Sequence, residues 1–276
     1  MKKLVCFDLD GTLLRDDKTI PIENINAITK ALDAGCYVSI VTGRSFTSAF
    51  QIAKEIGLYR KNCFLINFQG NAIFRLEDQE MIFESGLSGK DVKALLKDLN
   101  EKGLYAQTYD TNGIITNNDC TDLRLYNKIA VEPIRFVNDW DELEDKVYPK
   151  VISIDFSSSK ALEHYQKDYL KTKDAKRISC FFSDPKFLEF CDINISKGTA
   201  VKHLAEYLNL TLEDVIAVGD ERNDISMIQM AHIGCAMANS HPEVKQYADY
   251  VTKNTNNQAG VAEVIYKFVL NQESRF

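Results

Sequence analysis

No stretch of this chain approaches the roughly 18 consecutive apolar residues of a membrane span, so the sequence predicts no membrane partner. Lys2 and Lys3 are followed by only four apolar residues before Asp8, too few for the apolar core of a secretory signal. No lysine–arginine block stands out, and the formal net charge is −7, which argues against a nucleic-acid footprint. The seven cysteines (Cys6, Cys36, Cys63, Cys120, Cys180, Cys191, Cys235) contain no Cys-x-x-Cys pair. Several lie inside apolar runs, as free thiols do in a reducing compartment, and the chain is expected to be cytoplasmic. His164, His203, His232 and His241 show no ligand spacing, so no histidine is assigned to a metal. Internal repeats and low-complexity segments are missing as well. What these absences leave is an ordinary globular composition, 45% hydrophobic over 276 residues, long enough for one large or two modest domains. In a chain of net negative charge, an anionic ligand has to be held by a local electropositive site.

What is present is a set of short apolar runs that end abruptly in chemistry. Leu4 to Phe7 lacks polar alternation and reads as a buried strand; it runs into Asp8-Leu9-Asp10-Gly11-Thr12. The acids therefore stand at a strand's carboxyl end, where open α/β sheets place ligands. If the backbone stays extended, Asp8 and Asp10 project from one side, since side chains alternate with period two. Two close carboxylates in a low dielectric need a cation, a shared proton or a division into acid and base. Mg2+, hard and oxygen-seeking, is the natural cation.

Pro21 opens a helical pattern through Ile25, Ile28, Ala31 and Leu32 that stops at Gly35. A second buried strand, Tyr37 to Val41, ends in Thr42-Gly43-Arg44-Ser45, and a helix is expected from Ser45 to Ile56. This strand–helix–strand spacing predicts neighbouring parallel strands. A third strand, Cys63 to Asn67, leads into Phe68-Gln69-Gly70-Asn71, where Gly70 and Asn71 read as turn formers. Further on, Ile195-Ser196-Lys197 opens an amphipathic helix, although the dipole disfavours a lysine in a first turn. Val215 to Gly219 is again a buried strand running into acids, Asp220-Glu221-Arg222-Asn223-Asp224. Ile233 to Ala236 leads to Asn239, before a helix begun by Pro242.

Between residues 84 and 191 the pattern changes. Ser88 is placed to cap a helix carrying Val92, Leu95, Leu96 and Leu99, with its stop at Gly103. Alternating strands are expected at Leu104 to Tyr109, Gly113 to Thr116, Lys150 to Phe156, Ile178 to Phe182 and Phe187 to Cys191, with helices near 140–147 and 161–170. Such alternation points to an antiparallel sheet with helices on one face, an α+β domain.

Asp8-Leu9-Asp10-Gly11-Thr12, Thr42, Lys197 and Gly219-Asp220-x-x-Asn223-Asp224 resemble, in order, the four motifs of the haloacid dehalogenase (HAD) phosphatase superfamily. Too few residues separate Asp8 from Thr42 for a folded insertion, whereas more than a hundred separate Thr42 from Lys197. The chain is therefore similar to the Cof-type branch, whose α+β cap is inserted between motifs two and three. The resemblance implies a Rossmann-like parallel-sheet core over residues 1–83 and 192–276, with the cap at 84–191 providing substrate selectivity. It implies that Asp8 is the nucleophile, giving an aspartyl phosphate, and that Asp10 is the general acid and base, favoured as an acid by carboxylate-rich surroundings. Mg2+ would be held by Asp8, the main-chain carbonyl of Asp10 and Asp220, with Asp224 behind them. Thr42, Gly43, Lys197 and Asn223 would cradle the phosphoryl group, with Arg44 and Asn239 as further candidates. The branch usually carries Asn-Gly-Ala where this chain has Gln69-Gly70-Asn71-Ala72, a departure that touches specificity. The implied function is Mg2+-dependent hydrolysis of a small phosphorylated metabolite such as a sugar phosphate, pyridoxal phosphate or nucleotide-type ester. Alternatives are a phosphosugar mutase on the same core and a non-catalytic aspartyl-phosphate sensor.

Overall fold

Leu4 to Phe7 form a strand buried throughout (β1, Leu4–Phe7), as a central parallel strand requires. The computed structural model describes residues 2–271, so positions 1 and 272–276 of the expected core segments lie outside the described residues. Helix α1 (Ile22–Asp33) follows Pro21 and buries Ala27, Ile28, Ala31 and Leu32 along one stripe. It ends at Ala34, and Gly35 turns the chain with φ +83°. β2 (Tyr37–Val41) pairs parallel to β1, with Phe7 opposite Ile40. α2 (Phe46–Glu55) then leads to β3 (Cys63–Asn67), parallel to β2. The expectation of a parallel sheet needs a correction at this edge. β4 (Ala72–Arg75) runs antiparallel to β3, because the three-residue turn Phe68–Gly70 is far too short for a parallel crossover. β5 (Glu80–Glu84) closes the edge.

Glu84–Ile195 form a second compact unit, with which Ser45–Ser48 group; there the Ser45 hydroxyl donates to Glu132. β6 (Leu87–Ser88) precedes α3 (Gly89–Glu101), whose N-terminus is capped by Ser88 accepting from the Asp91 N–H at 3.2 Å. β7 (Ala106–Asp110) and β8 (Gly113–Thr116) make a hairpin. α4 (Thr121–Ala130) was not expected; of its ten residues only Leu123 is buried. β9 (Ile134–Phe136) then pairs parallel to β8, which makes this sheet mixed and not purely antiparallel. The helix expected at 140–147 is absent. Trp140–Glu142 form one 3-10 turn, closed by Asp139 and Glu142 capping each other's backbone, and Leu143 is extended at φ −64°, ψ 134°. β10 (Val147–Tyr148) follows and pairs with β6, so Trp140 and Leu143 enter the core of this unit from a loop and Tyr148 from this short strand. β11 (Val151–Ile154), α5 (Lys160–Tyr169), β12 (Ile178–Asp184) and β13 (Phe187–Asp192) complete it. The sheet order is β12-β13-β11-β7-β8-β9. Leu96, Leu99, Val151, Leu162, Leu188 and Phe190 belong to a hydrophobic core that contains only residues of this unit.

The first unit, made of the residues up to Arg44, Ala49–Phe83 and the residues from Ser196 on, resumes with α6 (Lys197–Tyr207). β14 (Val215–Gly219) pairs parallel to β1, followed by α7 (Ile225–Met230), β15 (Ile233–Ala236), α8 (Pro242–Lys245) and β16 (Tyr250–Val251). The sheet order is β16-β15-β14-β1-β2-β3-β4-β5. Strands are added in one direction from β1 through β2 and β3, and in the other through β14 and β15. The order therefore reverses between β1 and β14, which is where a doubly wound sheet opens a crevice at its carboxyl ends. Among the described residues, no helix is long and apolar enough to cross a membrane.

Candidate active site

Asp8 is the first residue beyond β1, and its N–H still donates to Val218 of β14 at 3.0 Å, so the ladder fixes its backbone. Lys197 begins α6. Ser196 caps that helix by accepting from the Thr199 N–H at 3.1 Å, and the Thr199 hydroxyl accepts from the Ser196 N–H at 2.9 Å. The cap sets where the helix starts and hence where Lys197 points. Its Nζ, in a side chain only 1% exposed, donates to Asp8 Oδ1 and to Asp224 Oδ1, both at 2.6 Å. Asp224 uses its other oxygen to accept from the N–H groups of Asp220 (2.9 Å) and Glu221 (3.0 Å). Asp220 Oδ1 accepts from the Thr12 hydroxyl at 2.6 Å. Gly11 adopts φ +77°, and a Cβ there would collide with the Asp220 carboxylate, so glycine serves both the turn and the approach.

One carboxylate oxygen from each of Asp8, Asp220 and Asp224 lies within 4.8 Å of the other two. Three carboxylates, those of Asp8 and Asp224 buried and that of Asp220 half-buried, face one ammonium, which leaves excess negative charge in a low dielectric. Burial pushes the Asp8 carboxyl up; Lys197 opposes this, while Asp224 and Asp220 add to it. Burial likewise pushes Asp220 up to about 7, against the Thr12 hydrogen bond. Burial alone would lower Lys197, but Asp224 and Asp8 outweigh it and keep the ammonium charged. An all-oxygen donor set with unmet demand for positive charge fits a hard divalent cation. Asp224 has both oxygens engaged, so Asp8 and Asp220 have the better claim to the ion.

Asp10 departs from expectation. The strand stops at Phe7 and the chain turns at once, with Leu14 N–H donating to Leu9 at 2.8 Å, so the extended path that would align Asp10 with Asp8 is not followed. Asp10 lies outside the buried carboxylate cluster, and its side chain is 42% exposed. Arg44 grips it with two bonds of 2.7 and 2.6 Å, and Lys18 adds one of 2.9 Å. Partial burial pushes its carboxyl up, but these cations outweigh it and hold the group below the ordinary carboxylate range. Its surroundings are basic, not carboxylate-rich.

Thr42 is buried at the end of β2, and its hydroxyl accepts from the Arg44 N–H at 3.2 Å. Gly43 lies against the side chain of Gln69, whose Nε2 is 2.5 Å from where a Cβ of residue 43 would stand. Asn223 Nδ2 donates to Gln69 Oε1 at 3.0 Å. Asn71 is buried and bonds back to the Phe68 carbonyl as a turn residue does. Asn239 donates to the Gly11 carbonyl at 2.7 Å and accepts from the Asn256 N–H at 2.9 Å, so it braces the turn beneath Asp220 through main-chain contacts. Sequence reasoning gave no role to Thr12 or Lys18. Thr12 had a signal, a hydroxyl just after the Asp-Gly turn; Lys18 sits in a mixed-charge loop and had none.

A doubly wound sheet that gathers three carboxylates and one buried lysine beyond the carboxyl ends of β1 and β14 has the form of an α/β enzyme, with its charged cluster where such sheets bind ligands. The haloacid dehalogenase-like hydrolase family matches residues 5–265, and the chain belongs to it. It is 33% identical to the 5-amino-6-(5-phospho-D-ribitylamino)uracil phosphatase YcsE of Bacillus subtilis, over 97% of this chain and 96% of that one. It is 28% identical to the phosphatase YwpJ of Bacillus subtilis, over 95% and 98% of the two chains. A crystal structure of a haloacid dehalogenase-like hydrolase from Bacteroides thetaiotaomicron matches with a TM-score of 0.86 at 30% identity, covering 97% of this chain and 99% of that one. The protein is a phosphatase of this family.

Proposed function

We propose that the protein hydrolyses small phosphorylated metabolites with Mg2+, through an aspartyl phosphate on Asp8. The observation that carries this reading is the Lys197 ammonium bonded at 2.6 Å to Asp8 Oδ1 at the end of β1, with Asp220 and Asp224 beside it. Lys197 stabilises the carboxylate form of Asp8, keeping one oxygen available as a nucleophile. That oxygen forms a bond to phosphorus as the ester P–O bond breaks, and the leaving oxygen takes the Asp10 proton. Asp10, now a carboxylate, accepts a proton from water as its oxygen attacks phosphorus; the Asp8–phosphorus bond breaks, and inorganic phosphate leaves. Arg44 and Lys18 hold Asp10 in the carboxylate form that suits this second half. For the first half they must turn away, toward the arriving dianion. Thr42, whose hydroxyl oxygen already accepts from Arg44, keeps its proton to donate to a phosphoryl oxygen. Asp8, the Asp10 carbonyl and Asp220 would hold Mg2+, which when bound supplies neutralising charge for the phosphate and the developing transition state.

The inserted residues 84–191 act as a cap that reads the leaving group. Small metabolites then outrank folded phosphoproteins as substrates, and a screen of phosphorylated metabolites ranked by kcat/KM identifies the preferred ester. Asp8→Asn abolishes phosphate release, while Asp10→Asn loses on the order of 10²–10⁴-fold. Near-parental turnover by Asp8→Asn, with contaminating phosphatase excluded, would falsify the nucleophile assignment.

A further inference from the structure

We propose that Gln69 is a positioning residue of this phosphatase, a clamp that sets the spacing between the Thr42–Arg44 turn and the Arg222–Asp224 turn. The inference rests on the phosphatase reading of the site and extends it to a residue outside the motifs. The first observation is in the backbone. Phe68 and Gln69 have φ of 49° and 62°, and Gly70 follows at 111°. Two successive non-glycine residues in the left-handed region are disfavoured, and such outliers persist where the surroundings over-determine them. Here the surroundings are the catalytic turn itself: Gln69 N–H donates to the Thr42 carbonyl and Phe68 N–H to the Arg44 carbonyl, both at 3.1 Å.

The second observation is in the side chain. Gln69 Oε1 accepts from Asn223 Nδ2 at 3.0 Å, across 154 positions of sequence. Its Nε2 lies against Gly43, and among the described residues it has no acceptor. One residue therefore touches both turns, with its backbone on Thr42 and its side chain on Gly43 and Asn223. Next to Asn223 stands Asp224, which holds Lys197, which in turn holds Asp8. A left-handed turn position filled only for its backbone favours glycine or asparagine. Glutamine gains nothing there except reach. Asparagine is one methylene shorter and does not span the gap with the same geometry. Glutamate would put a carboxylate beside the phosphate cradle.

The test compares the parent with Gln69→Gly, Gln69→Asn, Asn223→Ala and the Gln69→Gly/Asn223→Ala double variant, using p-nitrophenyl phosphate with Mg2+ and thermal melts of the same samples. Gln69→Gly relieves the backbone, so it melts at or above the parent. Its kcat nevertheless falls about tenfold, with KM changed far less, because the loss is one of catalytic alignment and not of uniform binding. Gln69→Asn, which tolerates the same backbone, lies between parent and glycine. Asn223→Ala loses a similar factor, and the double variant is no worse than the worse single one, since both remove one bond. Parental kcat in Gln69→Gly, a kcat loss that only tracks a lower melting temperature, or losses that multiply in the double variant each overturn the clamp. A parent inactive on every phosphomonoester tried would instead overturn the phosphatase reading, and the clamp with it.

Discussion

At the scale of single residues, the protonation of Asp220 gives a test of the carboxylate cluster that needs no substrate. In the metal-free protein its carboxyl is pushed up to about 7 from an ordinary 3.8. Between those values the folded state binds more protons than the unfolded chain, so stability falls as pH rises through the window. With a chelator present, the melting temperature should drop between pH 5 and pH 8, Asp8 adding in the same direction. Asp220→Asn should flatten the profile; an equal slope in the variant would show that the cluster is not the cause. A second test concerns Gly43. A Cβ there crowds the far end of the Gln69 side chain, so Gly43→Ala should lower kcat by displacing it, and the same change should cost nothing further in a Gln69→Gly background. Additive losses would locate the fault in the turn itself. The positions of Asp8, Asp220 and Asp224 were legible because buried apolar runs end in them, and that of Lys197 because the dipole disfavours a cation in a first helical turn. The environment of Asp10 was not legible: its partners Lys18 and Arg44 lie 8 and 34 positions away, and nothing in the motif announces them.

At the scale of elements, Lys150 and Glu189 form a buried ion pair of 2.9 Å across neighbouring strands of the inserted unit, each side chain under 10% exposed. Burial would depress the Lys150 ammonium, but Glu189 outweighs it and keeps the lysine charged. The Ser183 hydroxyl bonds the other Glu189 oxygen at 2.7 Å. Removing one partner strands a buried charge, and Glu189→Leu should destabilise by about 3–5 kcal/mol. Lys150→Met with Glu189→Leu should recover most of that loss, because two apolar side chains of similar volume need no compensation. Urea melts of the three proteins decide it; a double variant as unstable as the single one would show that packing, not charge, sets the cost. The core strands were readable because apolar runs bounded by turns and acids have few other readings. α4 was hard to read because Leu123, Tyr126 and Ala130, though at helical spacing, stand among polar residues, and the helix buries Leu123 alone. The stretch 140–147 misled because Trp140, Leu143 and Val147 are spaced like a helical face, while Asp139 and Glu142 close the chain into a single turn.

At the scale of the whole molecule, Mg2+ bound only to the folded state adds RT ln(1 + [L]/Kd), about 2.7 kcal/mol at ~100 Kd. A rise of a few degrees in melting temperature is expected. Asp220→Ala should abolish that rise while increasing metal-free stability, because one member of a repelling cluster is gone. An unchanged Mg2+ response would place the ion elsewhere. The order of the large sheet has a further consequence, for synthesis. β1 sits between β2 and β14, yet the contact from Thr12 to Asp220 that accompanies the second pairing spans 208 positions. At ~5–20 residues per second, roughly 10–40 s pass on the ribosome between the emergence of the two partners. Throughout that interval β1, buried along its whole length in the finished sheet, keeps an open edge, and by its end every strand of the inserted unit's six-stranded sheet has been made. The nascent chain thus completes the insertion before its host, and the exposed side of β1 is the surface a chaperone would find to shield.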